Sequence, residues 1–332
     1  MRINTVTGRI ETSELGKTLM HEHLMVGYPG WELDVVEPGP SFRDLVEVCV
    51  DRIEELKSAG YRSLLDPCPN DMGRSVELMG EVAARTGFNI ICTTGLYNEQ
   101  EGASSYWRAK SRYNPDYAEE LAELFVRELT DGVADTGIRA SAIKIATGKG
   151  AITEYEAGVF AAAAAASKAT GAPITTHTEG QLGPEQLALL ASLGVEPHRV
   201  VVGHSCDNPD HAYHMQIAAA GAYVGFDRLG LEYSVSNAGK ADNLVRLIEA
   251  GAGGRVAIAH DSVWCLRGRL FSRDAAARFA STHRALQFTR VFAPMLRAAG
   301  VTDEAIEAMQ RDNPRRYFEG RSPPAIAPAH AH

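Results

Sequence analysis

The chain has few cysteines, no excess of basic residues and no long apolar run. Its five cysteines are odd in number, widely scattered and without a CxxC pair, which predicts reduced thiols rather than disulfides or a zinc finger. The net charge of −9, with no block of Lys and Arg, argues against a surface that binds nucleic acid. The most apolar stretch, the Ala-rich residues 159–166, is far shorter than the roughly 18 residues that span a membrane.

The two ends of the chain also show little that points to structure. Residues 1–5 have no apolar core and no cleavage-site pattern, so we predict no signal peptide and a cytoplasmic location. Residues 321–332 are rich in Pro and Ala and predict a disordered tail, which makes His330 and His332 poor ligand candidates. Between the ends, residues 1–320 are long enough for one large α/β barrel or two ordinary domains.

Short apolar or β-branched runs alternate with helical patterns along the chain. The first predicted strand runs to about His23, and the next seven cover residues 62–67, 90–94, 142–145, 174–177, 200–204, 222–227 and 255–261. The predicted helices cover residues 41–59, 74–86, 115–136, 153–170, 184–193, 209–220, 239–250 and 281–299. Eight β/α units favour a single-domain TIM (β/α)8 barrel, with a doubly wound sheet as the alternative. Residues 2–12 predict a short N-terminal β-hairpin that closes the bottom of the barrel.

Candidate metal ligands lie at the ends of these predicted strands. His21 and His23 are separated by one residue, so both imidazoles should lie on one face of a strand, where they could bind one divalent ion. Any one histidine is most simply a hydrogen-bonded core residue. In a TIM barrel, however, the carboxyl ends of all strands converge on one mouth. We therefore predict a metal site, of a kind that suits zinc, formed by His21, His23, Lys144, His177, His204 and Asp261.

Lys144 is the unusual member of this set. A buried lysine beside cations should lose its proton readily, because burial and like charge both disfavour the ammonium form. A neutral amine can capture carbon dioxide as a carbamate, whose two oxygens could bridge two metal ions. The alternative is an ordinary barrel-interior lysine that pairs with Asp261.

Several motifs together carry a family resemblance. They are His21-Glu22-His23, Ile143-Lys144-Ile145, Thr176-His177-Thr178, Val202-Gly203-His204, His260-Asp261 and the ending Asp312-Asn313-Pro314-Arg315-Arg316-Tyr317-Phe318. Over residues 1–318 the chain resembles the phosphotriesterase-related branch of the amidohydrolase superfamily. The resemblance implies two divalent ions, usually zinc, with cobalt, manganese or iron as alternatives. It also implies that His21, His23 and Asp261 hold the buried metal, that His177 and His204 hold the outer one, and that carboxylated Lys144 bridges them.

The resemblance extends to the predicted chemistry. A hydroxide that bridges two dications is expected to attack an electrophilic centre, while Asp261 takes the proton and returns it to the leaving group. Tyr97 after strand three and Arg228 after strand seven resemble residues of the lactonase-type members. This implies that Tyr97 hydrogen-bonds near the outer metal and the substrate, and that Arg228 lines the pocket. The alternatives are a packing aromatic for Tyr97 and a surface salt bridge for Arg228.

The segment after strand eight departs from the acyl-homoserine-lactone-type members. It carries several arginines, including Arg267, Arg269 and Arg273, which predict recognition of an anionic substrate group, although a solvated basic helix start is the alternative. Trp264 and Phe271 are expected to form an apolar wall. A second wall is expected from Tyr106 and Trp107, in a predicted loop over residues 98–113.

The leading hypothesis is a metal-dependent lactonase that opens a small lactone and has weak promiscuous phosphotriesterase activity. Amide or phosphoester hydrolysis of an anionic substrate at the same centre is the runner-up, and a non-catalytic barrel that binds a ligand is a third possibility. The expected partner is a small-molecule substrate. The resemblance adds the expectation of a homodimer.

Overall fold

The computed structural model describes residues 1–34, 39–179 and 181–326. The strands are β1 (Arg2–Thr5), β2 (Gly8–Glu11), β3 (Lys17–Leu19), β4 (Glu22–Val26), β5 (Tyr61–Asp66), β6 (Asn89–Gly95), β7 (Ala142–Thr147), β8 (Ile174–Thr178), β9 (Val200–Val202), β10 (Tyr223–Phe226), β11 (Val256–Ile258) and β12 (Ser262–Leu266). The helices are α1 (Phe42–Ser58), α2 (Val76–Thr86), α3 (Ser105–Tyr113), α4 (Tyr117–Thr130), α5 (Glu154–Thr170), α6 (Gly183–Ser192), α7 (His211–Ala219), α8 (Asn237–Glu249), α9 (Arg273–Thr282), α10 (Ala293–Ala298) and α11 (Asp303–Glu319).

Eight parallel strands form the centre of the molecule. Their hydrogen-bonded order is β3-β5-β6-β7-β8-β9-β10-β11, which follows the chain. The two edges of this sheet meet where the N–H of Met20 donates to the carbonyl of Ile258 at 3.0 Å. The strands are almost entirely buried, as expected for parallel strands covered by helices on the outside. The nearly closed barrel confirms the predicted TIM-barrel fold.

The N-terminal hairpin covers one end of this barrel. Strands β1 and β2 are antiparallel, and the N–H of Val6 donates to the carbonyl of Ile90 near the start of β6, at 2.9 Å. Ile3 packs into a buried cluster inside the barrel that also contains Leu15, Met20, Leu65, Ile91, Ala142, Val201, Tyr223, Ala257, Tyr317 and Phe318. The predicted hairpin is therefore confirmed, and the opposite end of the barrel stays open.

Helix α1 shows how the local sequence sets an element. Ser41 accepts the N–H of Asp44, and the Asp44 carboxylate accepts the N–H of Ser41, so the first turn is capped reciprocally. Leu45, Val46, Cys49, Ile53 and Leu56 recur at helical spacing and are all buried. One apolar stripe thus docks the helix on the barrel.

The first predicted strand is interrupted, which corrects the placement of the two leading histidines. Strand β3 ends at Leu19 and β4 begins at Glu22, so His23 lies in a strand while His21 lies just before it. The interruption occurs because β3 pairs with β5 in the barrel, whereas β4 leaves the barrel to pair with β12. Both side chains still reach the open end of the barrel.

Three further segments differ from the predictions. Residues 105–113 are helix α3 rather than loop, with Ser104 as its N-terminal cap. Residues 262–266 are strand β12 rather than loop, because they find a parallel partner in β4. The helix predicted over residues 281–299 begins later, as a π-helical turn over Phe288–Phe292 that continues into α10, and helices α9 and α11 flank it.

The C-terminal end of the chain lies partly outside the described residues. These include residues 321–326, but residues 327–332 of the predicted tail, with His330 and His332, lie outside them. In the described part of the chain, no helix has the length and apolar character needed to cross a membrane. The assignment of residues 1–320 to a single domain stays a prediction.

Candidate metal centre

The six predicted ligands line one cavity at the open end of the barrel. Lys144 lies in β7 and His177 in β8, while His204 lies two residues after the end of β9 and Asp261 three residues after the end of β11. The five His and Lys side chains are at least nine-tenths buried, and that of Asp261 is nearly so. The structure therefore brings together every residue that the sequence predicted as a ligand.

Backbone geometry directs two of these side chains inward. His204 and Asp261 have φ angles of 56° and 51°, in the left-handed region, which is uncommon for residues other than glycine. The residue before His204 must be a glycine, because a Cβ at position 203 would lie 2.0 Å from the carbonyl oxygen of Thr176. Two of the candidate ligands thus have an uncommon backbone conformation just after a barrel strand.

The ligand atoms form two adjoining groups. In the inner group, Oδ1 of Asp261 lies 3.5 Å from Nε2 of His21 and 3.3 Å from Nε2 of His23, and Nζ of Lys144 lies 3.3 Å from Nε2 of His21. In the outer group, Nε2 of His204 lies 2.7 Å from Nδ1 of His177. Lys144 stands beside the inner group.

Two carboxylates behind the histidines decide which ring nitrogens face the cavity. Asp227 accepts hydrogen bonds from Nδ1 of His21 and Nδ1 of His204, each at 3.1 Å, and from the backbone N–H of His204 at 2.8 Å. Glu179 accepts a hydrogen bond from Nε2 of His177 at 2.8 Å. The opposite nitrogens, Nε2 of His21 and His204 and Nδ1 of His177, therefore keep their lone pairs.

This arrangement fits a bound cation. The lone pairs of His177 and His204 face each other across 2.7 Å, and the lone pair of His21 faces an anionic oxygen of Asp261 at 3.5 Å. Acceptors that converge in this way repel one another unless a positive centre lies between them. Imidazole nitrogen and carboxylate oxygen are ligands that zinc and similar divalent ions take.

Burial shifts the pKa values of His21, His177 and Lys144 toward their neutral forms, which bind metal or carbon dioxide. Burial, with the nearby Lys144, lowers the pKa of His21 to about 4, and burial also lowers the pKa of His177 to about 4. These two imidazoles are then neutral at pH 7, as metal ligands must be. For His23 the shift is opposite: burial lowers its pKa, but hydrogen bonds to Asp261 and Asp66 raise it well above its ordinary value. Burial lowers the pKa of Lys144 to about 8, although Asp261 and Asp227 oppose this shift.

Arg228 contacts three carboxylates. Its Nε donates to Oδ2 of Asp261 at 2.8 Å, its Nη1 donates to Oδ2 of Asp207 at 3.1 Å, and its Nη2 lies 3.6 Å from Oε1 of Glu179. Arg228 lines the cavity, as predicted, and it is not the surface salt bridge of the alternative. Its donors are largely engaged within the protein.

Tyr97 also lies where the sequence predicts it. Its hydroxyl is 3.1 Å from both ring nitrogens of His177, which places it over the edge of the outer group. Its backbone N–H donates to the carboxylate of Asp71 at 3.0 Å. Burial raises the pKa of Tyr97 well above its ordinary value, so its hydroxyl stays protonated and is a hydrogen-bond donor at neutral pH.

Trp264 and Arg267 do not line this cavity, which corrects their predicted position. Trp264 packs against the main hydrophobic core, while its neighbour Val263 lines the cavity, because successive side chains of a strand point to opposite faces. Arg267 stacks on Trp31, with 4.2 Å from its guanidinium carbon to the ring centroid, and donates to the carbonyl of Pro40. Both side chains belong to the outside of the rim.

The predicted apolar walls are only partly found. Phe271 lines the cavity, together with Phe279 and His283, which the sequence did not single out. Tyr106 is exposed, and Trp107 lines a separate groove next to α1 and α2, so neither forms a wall of the cavity. The cavity has a volume of about 130 Å³.

Asp227 and Glu179 are two polar residues whose contacts with the candidate ligands sequence reasoning missed. Glu179 follows His177 by two positions, and the alternation of strand side chains predicts that the two lie on the same face. The role of Asp227 depends on its simultaneous contact with His21 and His204, which belong to distant parts of the chain. This contact could not be predicted from the sequence, because only closure of the barrel brings these three residues together.

A TIM barrel that gathers four imidazoles, a lysine and a carboxylate at its open end has the architecture of a metal-dependent hydrolase. The chain belongs to the phosphotriesterase family, whose family model matches residues 1–318. It is 34% identical over 319 residues to a phosphotriesterase homology protein of Mycobacterium tuberculosis, with 96% of this chain and 97% of the relative covered. These matches confirm the family resemblance of the sequence motifs.

Solved structures agree with this assignment. The organophosphorus hydrolase from Deinococcus radiodurans superposes with a TM-score of 0.92 at 38% identity, covering 96% of this chain and 97% of the other. A structure described as the engineering of organophosphate hydrolysis activity from a weak promiscuous lactonase template superposes with a TM-score of 0.91 at 36% identity, covering 96% and 100%. More distant relatives include a phospho-furanose lactonase of Mycoplasmopsis synoviae, 27% identical, and an N-acetyltaurine hydrolase of Danio rerio, 22% identical.

Proposed function

We propose that this protein is a binuclear metal-dependent lactonase that opens small, neutral lactones and hydrolyses organophosphate triesters weakly. The observation that carries the proposal is a small cavity that joins the candidate ligands to an apolar wall. Lactonase and organophosphate-hydrolase activities in the names of several relatives support the reaction class. The apolar wall supports the choice of a neutral substrate.

The cavity suits a small ring. Its volume of about 130 Å³ includes the space that bound ions would take, so only a small substrate fits beside them. The candidate ligands and Tyr97 lie on one side. The other side is formed by Val26, Met72, Val263, Leu266, Phe271 and Phe279. A lactone placed here has its ester group over the ligands and its methylene groups against the apolar side chains.

The charges around the cavity disfavour an anionic substrate. Among the described residues that line it, Lys144 and Arg228 are the basic ones besides histidine, and Arg228 already contacts three carboxylates. Arg267 stacks on Trp31, and Arg269 pairs with Asp34, so both side chains have partners outside the cavity. The arginines of residues 267–269 therefore give little support to the hypothesis of anion recognition.

The residues present would hold two divalent ions. His21, His23 and Asp261 would hold one, and His177 and His204 the other, and a carbamate on Lys144 would add two ligand oxygens. Ions bound there supply Lewis acidity, which lowers the pKa of water and polarises a carbonyl oxygen. The pKa of about 8 for Lys144 supports carbamate formation, because only the neutral amine reacts with carbon dioxide.

The protein side chains then have separate tasks. Tyr97 donates a hydrogen bond to the lactone and orients its ester group. Asp261 accepts the proton that the attacking water loses, and passes it to the ring oxygen when the acyl C–O bond breaks, which gives a hydroxy acid. Arg228 holds Asp261 through its Nε–H, so the carboxylate keeps one orientation during both proton transfers.

The experiment is a substrate panel, run after metal analysis of the purified protein. It compares neutral γ- and δ-lactones, a phosphorylated sugar lactone, N-acetyltaurine and paraoxon. We expect kcat/KM for the best neutral lactone to exceed that for the phosphorylated lactone and the amide by about 100-fold, with slow paraoxon turnover. Faster turnover of the phosphorylated lactone would contradict the choice of a neutral substrate. Amide turnover without lactone turnover would move the reaction to amide hydrolysis.

Three other expectations stay proposals. We propose zinc as the metal, with cobalt, manganese or iron as alternatives, and a content of two ions per chain is the corresponding measurement. We also propose a homodimer, which light scattering during size-exclusion chromatography tests. A cytoplasmic location is the third, and cell fractionation tests it.

A further inference from the structure

We infer that Lys240, a residue outside the cavity, positions Arg228 against Asp261 and so acts as a positioning residue for the reaction. This inference rests on the proposed function only for its kinetic test. Lys240 lies in the first turns of α8, and its side chain is fully buried. A fully buried lysine is uncommon and needs polar partners for its amine group.

Lys240 holds Arg228 in two ways. Its Nζ donates directly to the backbone carbonyl of Arg228 at 2.9 Å and to the carbonyl of Leu231, so it fixes the turn after β10. The same Nζ forms an ion pair of 2.8 Å with Oδ1 of Asp207. Oδ2 of Asp207 in turn accepts a hydrogen bond from Nη1 of Arg228. One amine group therefore fixes the main chain of Arg228 directly and its side chain through Asp207.

The contacts form a line of alternating charges that ends at a candidate ligand. Lys240 contacts Asp207, Asp207 contacts Arg228, and Nε of Arg228 contacts Oδ2 of Asp261. With Lys240 present, Asp207 has a second basic partner besides Arg228. Without Lys240, Asp207 would have to be neutralised by the guanidinium of Arg228, which also contacts Glu179 and Asp261. It would then be free to move toward Asp207 and Glu179 and away from Asp261. Lys240 thus keeps the guanidinium centred on Asp261.

A purely structural role for Lys240 is the competing explanation, since it also joins α8 to the turn at residues 228–231. The two explanations differ in their dependence on Arg228. A positioning residue has no effect on turnover once the residue it positions is absent. A structural residue impairs the enzyme with or without Arg228. A double-mutant cycle separates the two cases.

The cycle measures kcat and KM for the best lactone in Lys240→Met, Arg228→Met and the double variant, with metal content and Tm recorded for each. The exposed Lys168 supplies the control variant Lys168→Met. We expect Lys240→Met to lower kcat by about tenfold, which is no more than the loss caused by Arg228→Met, with KM changed less than about threefold. In the Arg228→Met background, we expect the same substitution to change kcat less than about twofold. An equal loss in both backgrounds, or no loss in the wild-type background, would overturn the inference.

A second readout does not depend on turnover. The Nε–H of Arg228 gives an NMR signal that is assigned by its loss in Arg228→Met, and its exchange with solvent reports how firmly it binds Asp261. We expect at least tenfold faster exchange in Lys240→Met than in Lys168→Met, and unchanged exchange would overturn the inference. If wild-type protein opens no lactone, the proposed function fails while this measurement still decides the role of Lys240. If Lys240→Met does not fold, Asp207→Asn replaces it in both experiments, with the same expected and contradicting results.

Discussion

Nε of Arg228 lies 2.8 Å from Oδ2 of Asp261, while Oδ1 of the same carboxylate faces the imidazoles of His21 and His23. The two oxygens of Asp261 therefore have different partners. Burial alone would raise the pKa of Asp261, but the charges of His204, Arg228 and His21 hold it well below its ordinary value. The carboxylate is ionised at neutral pH and is fixed in one orientation, as a ligand that also transfers a proton must be.

Replacement of Arg228 by methionine tests this relationship. We expect Arg228→Met to lower kcat for a neutral lactone by about 10- to 100-fold, because Asp261 loses the donor that orients it. Arg267→Met is the matched control, since Arg267 stacks on Trp31 outside the cavity, and its kinetics should equal those of wild type. Steady-state kinetics on metal-loaded protein checks both. Equal losses in the two variants would restore the sequence-based prediction that Arg267 binds substrate.

Asp227 is expected to control metal affinity. Its two oxygens accept hydrogen bonds from His21 and His204, and the side chain of asparagine offers only one oxygen for these two donors. We expect Asp227→Asn to weaken metal binding by about 10- to 100-fold, as is usual when the partner of a ligand histidine is lost. Competition with a chelator measures the affinity. Asp242→Asn, at an exposed position of α8, is the control, and equal affinities of the two variants would contradict this role.

Carboxylation of Lys144 is expected to depend on pH in the metal-free protein. Its pKa of about 8 is lowered from the ordinary value, so the reactive neutral amine is a minor form at pH 7 and the major form above pH 8. At a fixed concentration of dissolved carbon dioxide, the initial rate of carbamate formation should rise about fivefold between pH 7 and pH 8, because the fraction of neutral amine rises by that factor. Labelled carbon dioxide and ¹³C NMR measure the carbamate, and Lys144→Met should abolish its signal. A signal of the same size in Lys144→Met would contradict the assignment.

Asp71 is expected to make the free energy of unfolding of the metal-free protein depend on pH. Burial raises its pKa to about 7, so the folded protein holds this proton more tightly than the unfolded chain does. Stability is therefore lost as the pH rises from about 4 to about 7. Asp71→Asn keeps an acceptor for the N–H of Tyr97 and removes the buried charge, so it should stabilise the protein by about 1–2 kcal/mol at pH 8 and by less at pH 5. Urea unfolding at both pH values measures this difference, and equal effects at the two values would contradict it.

The sequence was sufficient to predict the barrel and its six candidate ligands. Strand ends such as Lys144 in β7 and His177 in β8 can be counted along the chain, and barrel geometry then brings them to one mouth. The interruption between β3 and β4 could not be predicted, because the sequence Met20-His21-Glu22 contains no residue typical of a turn. Only the pairing of β4 with β12 separates the two strands.

The direction of the rim side chains could not be predicted for a similar reason. Val263, Trp264 and Cys265 are all apolar, so alternation gives no indication of which face of β12 meets the cavity. In the structure Val263 pairs with His23, so its side chain faces the cavity, and that of Trp264 lies on the opposite face of β12. Asp227 stands next to Arg228 in the sequence, but its contacts with His21 and His204 come from residues far away in the chain.

Cavity size is expected to limit the length of the side chain that the lactone ring can carry. Phe279 lines the cavity and stacks on His283, with 3.8 Å between ring centroids, so it closes the apolar side of the site. Phe279→Ala should raise kcat/KM for a δ-lactone with a four-carbon side chain, relative to unsubstituted δ-valerolactone, by about tenfold, because a few methylene groups then gain a place to bind. Tyr106→Ala, at an exposed position of α3, is the control and should keep the wild-type ratio. An unchanged ratio in Phe279→Ala, with Tm and metal content preserved, would show that the long chain leaves the cavity by another side, and the polar opening next to Tyr233 would then be the place to substitute.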